Sequence, residues 1–151
     1  MPVFDYSFTV NAPLEAVAEF HRNPLALKQL TPPPMLMQVH RFEPLSEGSV
    51  SDFTLWLGPV PFHWIAIHSN VDFPHGFTDT QQQGPMKTWA HTHTFTAESE
   101  QMSRVSEHIE YEYRSGLPGL LSRLLFSGPG LHLLFTYRKM TTRRHLRKRD
   151  S

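Results

Sequence analysis

Cysteine is missing from all 151 residues. Disulfides, thiolate metal sites and a cysteine nucleophile are thereby excluded, and a cytoplasmic location is expected. Neither charge is in surplus, since Lys+Arg and Asp+Glu each total 14. A surface built for nucleic acid needs a basic excess, so no nucleic-acid partner is expected. No run approaches the ~18 consecutive apolar residues of a spanning helix. Met1–Val10 holds no basic segment followed by an apolar stretch, so neither a membrane span nor a signal peptide is expected. A Gly-rich phosphate loop, G-x-S-x-G and H-E-x-x-H are all lacking, which leaves those enzyme classes without support. What the chain has instead is 13 Pro and 11 Phe: many turns, short elements and an aromatic interior. Its length suits one domain over 1–146, with 147–151 a basic tail expected to fray.

Phe4, Tyr6, Phe8 and Val10 alternate with polar residues, which predicts a first strand. Asn11-Ala12-Pro13 opens a short amphipathic helix over 13–21, with Leu14, Val17, Ala18 and His21 at helical spacing. A second short helix follows Asn23-Pro24 and stops at Thr31-Pro32-Pro33-Pro34. Six strands with short connections come next: 35–43, 49–57, 62–71, 77–82, 88–95 and 104–113. That is the pattern of an antiparallel meander. The last third is helical, with one leucine stripe at Leu117, Leu120, Leu121, Leu124 and Leu125. A second stripe is Leu131, Leu134, Phe135 and Tyr137. Ser127-Gly128-Pro129-Gly130 between them predicts a break capped by Ser127 or Gly128. Arg138, Lys139, Arg143, Arg144, Arg147, Lys148 and Arg149 crowd the end, where cations suit a helix C-terminus. Weak peripheral contact of this tail with an anionic membrane is a second reading. A curved seven-stranded sheet must cover its concave face, and the only long apolar helix is the last one. The expected fold is α+β: a sheet in the order β-α-α-β6-α wrapped on a long C-terminal helix around an internal cavity.

The stretch 77–95, FTDTQQQGPMKTWAHTHTF, carries the chemistry. On a strand, residues two apart share a face. One face therefore holds Phe77, Asp79, Gln81, Trp89, His91, His93 and Phe95, and the other is mostly threonine. Large aromatics mixed with titratable groups suit a buried wall that handles something polar.

The element order resembles the START/birch-pollen-allergen-like (SRPBCC) superfamily, over about residues 3–146. Segments similar to one bacterial, cyclase/dehydrase-like or cell-division-inhibitor-like branch are Ala12-Pro13, Phe20-His21, Leu30-Thr31-Pro32-Pro33 and Trp64-Ile65-Ala66. The others are Phe77-x-Asp79-x-Gln81-x-x-Gly84-Pro85, Trp89-x-His91-x-His93-x-Phe95 and Phe135-x-Tyr137-Arg138. The branch usually runs an unbroken last helix, from which Gly128-Pro129-Gly130 departs. The resemblance implies a helix-grip fold and a cavity for a hydrophobic ligand.

The expected partner is a small hydrophobic or amphipathic molecule, lipid-like or polyketide-like, bound by a monomer or dimer without a cofactor. The wall is expected from Phe53, Leu55, Ile65, Ile67, Phe77, Trp89, Phe95, Ile109, Leu124, Leu131 and Phe135. Trp56 and Trp64 fall on the opposite parity from Leu55 and Ile65 and are left unassigned. Asp79, Gln81, His91, His93 and Glu107 would orient the polar end, with Tyr111 adding its hydroxyl. Hairpin register puts Glu107 near His93 and Asp79 near His91. Three readings of these groups stay open: a mutually satisfied polar network, a metal pair at His91/His93, or a solvent-facing set. Acid–base catalysis of a cyclase, dehydratase or hydrolase type, with His91, His93, Glu107 and Asp79 as candidates, is the alternative to simple binding.

Overall fold

The computed structural model describes residues 2–23 and 25–149. Pro24 and the Asp150–Ser151 end of the expected tail lie outside the described residues. Alternation at the N-terminus forms β1 (Val3–Val10), followed by α1 (Leu14–Arg22) and the single turn α2 (Ala26–Gln29). Six strands come next: β2 (Met35–Phe42), β3 (Val50–Leu57), β4 (Val60–Asp72), β5 (Gly76–Gln83), β6 (Thr88–Ser99) and β7 (Met102–Glu112). The chain ends in α3 (Leu117–Leu125) and α4 (Gly128–Arg149). All seven strands form one open antiparallel sheet in the order β1-β7-β6-β5-β4-β3-β2, a meander of β2 to β7 to which the first strand is added beside the last. The fold is the expected helix-grip arrangement, and α4 runs three residues past the expected domain end at 146.

The break in the last helix lies where proline and glycine predict it. Ser127 Oγ accepts from the Gly130 N–H at 3.2 Å and Ser127 O from Leu131 N–H at 2.8 Å. The serine thus caps α4, as Ser does at helix starts. Of the α3 leucine stripe, Leu125 packs against the interior, but most of it does not. Leu117, Leu120 and Leu124 are exposed, while Gly119 and Ser122 are buried. A Cβ on Gly119 would lie 1.8 Å from Arg114 O, and Ser122 Oγ donates to Pro85 O at 3.2 Å. The helix docks so closely on these loops that only small residues fit beneath it, and these three leucines turn outward. Leu124, expected on the cavity wall, is therefore a surface residue.

Facing also differs on β4. Trp64 and Ala66 are buried, whereas Ile65 and Ile67 are half-buried on the opposite face. The β3–β4 hairpin turns on only Gly58-Pro59, which pairs Leu57 with Val60 and hence Phe53 with Trp64. Cross-strand partners share a face, so Trp64 joins Phe53 inside. Ile65 and Ile67 do not belong to the concave wall.

The interior has two apolar clusters. One, around Phe8, Val17, Phe20, Phe95, Val105 and Leu146, lies beneath α1. The other, around Phe53, Trp64, Trp89, Ile109, Phe126, Leu131 and Phe135, lies beneath the start of α4. Because α4 packs against β1, it covers the β1-β7-β6 half of the concave face. The β5-β2 half is roofed more loosely by the α1–α2 segment and by Leu134 and Arg138 of α4, and the cavity opens there.

Candidate functional site

The cavity measures about 170 Å³. Its apolar wall includes Met37, Phe53, Leu55, Trp64, Trp89 and Phe126. Trp64 stands perpendicular to Trp89 with centroids 5.3 Å apart, and Phe126 meets both rings edge-on at 5.9 and 5.5 Å. At the other end His21, His68, Asp79, His91, His93 and Arg138 reach the space.

Alternation on β5, β6 and β7 assembles the polar end as the sequence suggests. Asp79 pairs with His91 across β5–β6, and His93 pairs with Glu107 across β6–β7. The side chains nevertheless bond on the diagonal. His91 Nε2 donates to Glu107 Oε2 at 2.5 Å, and His93 Nε2 donates to Asp79 Oδ2 at 2.8 Å. The two imidazoles lie against each other with centroids 3.8 Å apart. Glu107 Oε2 is also 2.9 Å from His93 Nδ1, yet that nitrogen has no hydrogen bond. The attraction there is between charges rather than along an N–H. His91, His93 and Glu107 are all buried. The cluster bridges both apolar groups: His93 stacks on Phe77 at 4.4 Å, and His91 meets Phe135 edge-on at 5.5 Å.

Burial alone would neutralise these groups. For His93 it pushes the pKa down, but the charge of Glu107 and the hydrogen bond to Asp79 outweigh it and raise the value to about 9. His91 moves the other way, lowered by burial and by the neighbouring positive His93. Glu107 is held well below the usual carboxylate range: burial raises it, and the charges of His93 and His91 more than reverse that. Asp79 is lowered by the same balance, with His91 the largest favourable influence. Burial lowers His21 to about 4. Near neutral pH the cluster therefore holds two carboxylates, one imidazolium and one neutral imidazole. His21 is neutral too; its Nδ1 donates to Val17 O at 2.8 Å, which leaves Nε2 as an acceptor.

Arg138 is the group that sequence reasoning missed. Its guanidinium donates from Nε to Leu30 O at 3.3 Å and lies 5.2 Å from the Phe135 ring centroid. Counted with the basic C-terminal end, it looked like a surface cation. Its position four residues after Leu134 and seven after Leu131 places it on the apolar stripe of α4, and that spacing is the signal.

Of the expected wall, Phe53, Leu55, Phe77 and Trp89 line the cavity, as do Asp79, His91 and His93. Phe95 belongs to the core under α1, with its ring 4.8 Å from His21. Ile109, Tyr111, Leu131 and Phe135 are packed solid behind the wall. Glu107 stands behind the imidazoles rather than at the cavity. Gln81 holds the β5–β6 loop: its amide donates to Met86 O at 2.9 Å, and its carbonyl accepts from Met86 N at 3.1 Å. It therefore fixes the turn and does not reach the cavity.

Asp79, His91 and His93 could hold a metal ion, as could His40, Asp52 and His63 on the outer face of the sheet. In the cavity, a metal would have to displace a proton from His93, which disfavours it near neutral pH.

No family model and no curated protein sequence matches the chain. Solved structures do. The ZhuI aromatase/cyclase from Streptomyces sp. R1128 superposes with a TM-score of 0.78 at 12% identity, covering 99% of this chain and 96% of that one. Protein CV1439 from Chromobacterium violaceum gives 0.77 at 14% identity, covering 97% and 98%. A norcoclaurine synthase from Thalictrum flavum, a point mutant solved with a transition-state analogue, gives 0.69 at 15% identity, covering 99% and 96%. The chain thus has the START/birch-pollen-allergen-like SRPBCC fold.

Proposed function

We propose that the protein binds a small, mainly apolar molecule with a polar end inside the helix-grip cavity. The observation that carries this is the composition of the wall: apolar side chains over most of it, indole and phenyl rings among them, with the ionised Asp79–His93 pair and Arg138 also reaching the space. Such a mixture is what a site needs to hold a ligand body and fix its orientation. The volume narrows the ligand. A dry protein cavity of about 150 Å³ takes benzene, so 170 Å³ accommodates a single-ring compound. Burying ~200 Å² of apolar ligand surface gains about 5 kcal/mol at ~25 cal/mol per Å², and association costs reduce that. High-micromolar to millimolar binding follows for an apolar body alone. The test is to purify the protein without detergent, analyse its organic extract by mass spectrometry, and titrate single-ring compounds against Trp64 and Trp89 fluorescence. Saturable quenching supports the proposal; no response from any compound, neutral or charged, ends it.

Acid–base catalysis in the same cavity is the second reading. It is favoured by the contrast between His91 and His93, adjacent imidazoles driven to opposite protonation states. Such divergence is how a site keeps one acid and one base at a single pH. It requires that His93→Ala and Glu107→Gln remove turnover of a bound substrate while the fold survives; undiminished turnover in both variants rules it out.

A further inference from the structure

Arg138 brings a permanent charge into a wall made mostly of apolar side chains. Only Nε has a protein acceptor, Leu30 O; among the described residues its other donors have none, and no carboxylate forms an ion pair with it. Asp79 and Glu107 act on it from a distance, but their hydrogen bonds go to the two imidazoles. A partly buried guanidinium lacking a carboxylate partner is costly, and its planar fork matches a carboxylate in two parallel hydrogen bonds. Away from it, Trp64, Trp89 and Phe126 stand at steep angles to one another. They pack on one another and together present an aromatic surface to the cavity, on which a flat ring gains stacking or edge contacts that an aliphatic group does not.

From these two features we infer that the ligand is a small aromatic carboxylic acid, its ring against Trp64, Trp89 and Phe126 and its carboxylate on Arg138. This rests on the cavity-binding function proposed above and names its ligand class. The competing polar group is Asp79, which would select an amine instead. The charge of Asp79 is already paired with His93, whereas that of Arg138 has no carboxylate partner among the described residues.

The experiment compares benzoate, benzamide and benzylamine by calorimetry with the wild-type protein, Arg138→Met and Arg138→Lys. Methionine keeps much of the stem volume and removes the charge; circular dichroism and thermal melting establish that each variant folds. Hydrogen bonds to a charged group distinguish ligands by about tenfold or more. Benzoate is therefore expected to bind at least about tenfold more tightly than benzamide. Arg138→Met should bring the two within about threefold, with Arg138→Lys between. Equal binding of benzoate and benzamide, a benzoate preference that survives Arg138→Met, or a preference for benzylamine overturns the inference while leaving the cavity-binding function intact. If none of the three binds, the inference falls, and the wider titration described above decides the cavity-binding function. Should Arg138→Met fail to fold, the wild-type ratio and Arg138→Lys still decide.

Discussion

Replacing Glu107 by glutamine should change how stability depends on pH, not only its value. In the native protein the charge of Glu107 is the largest influence holding the His93 pKa up, at about 9 against 6.5 for a free imidazole. At ~1.4 kcal/mol per pH unit, that difference is about 3 kcal/mol of stabilisation. Because the folded pKa is the raised one, the stabilisation is complete below pH 6.5 and is lost as pH rises through about 9. Glu107→Gln keeps the side-chain shape and an acceptor for His91 Nε2, but removes the charge. Breaking one side of a buried pair should cost ~3 kcal/mol at pH 6.5. Between pH 6.5 and 9 the variant should lose ~1 kcal/mol or less, where the wild type loses ~3. Urea unfolding at several pH values measures both slopes, and an NMR titration of the His93 imidazole gives the midpoint directly. Two features of the protein must be kept apart from this effect. Tyr113, raised to about 12 chiefly by burial, adds its own loss of stability above about pH 10, so readings stop at 9.5. His108 is also raised, by its hydrogen bond to Asp5, but it is exposed, and His108→Gln serves as the control. Equal slopes in wild type and Glu107→Gln, or a His93 midpoint near 6.5, would refute the reasoning.

The acid side should mirror this. His21 and His91 have lowered pKa values, so their contribution is present above pH 6.5 and lost as pH falls, for His21 through about 4; unfolding midpoints should be highest near pH 6.5. Trp64→Ala should destabilise by ~3–5 kcal/mol and Ile67→Ala by only ~1, measured by denaturant unfolding, because the tryptophan is inside. Gly76→Ala should cost more than ~1 kcal/mol by the same assay: its φ is +147° and an added Cβ would lie 2.0 Å from His93 O. Ala66→Leu should occupy part of the cavity and weaken binding of single-ring compounds by about tenfold, with little change in circular dichroism.

Much of this architecture is legible in the sequence because period-two alternation is strong in β5, β6 and β7. It places Asp79, His91, His93 and Glu107 on one face and, with hairpin register, within reach of one another. The diagonal choice of hydrogen-bond partners is not legible, since it depends on imidazole rotamers. Facing on β4 was legible in principle: a two-residue loop at Gly58-Pro59 sets the β3–β4 register, and Phe53 then carries Trp64 inward. Apolar spacing misleads in α3, where the close approach of the backbone to Arg114 matters more than the leucines. Arg138 was obscured by its neighbours. A run of cations suggests a solvated end, and only its spacing from Leu131 and Leu134 separates it from the rest.

The central claim is that an open, ring-lined space ends in an ionised cluster. It is tested most directly by soaking crystals of the protein in iodobenzene and collecting anomalous diffraction. The account predicts an iodine peak inside the sheet, bounded by Trp64, Trp89 and Leu134, with His91 and His93 still joined to Glu107 and Asp79. An interior without a peak, in which Phe126 or either tryptophan has closed the space, would contradict it.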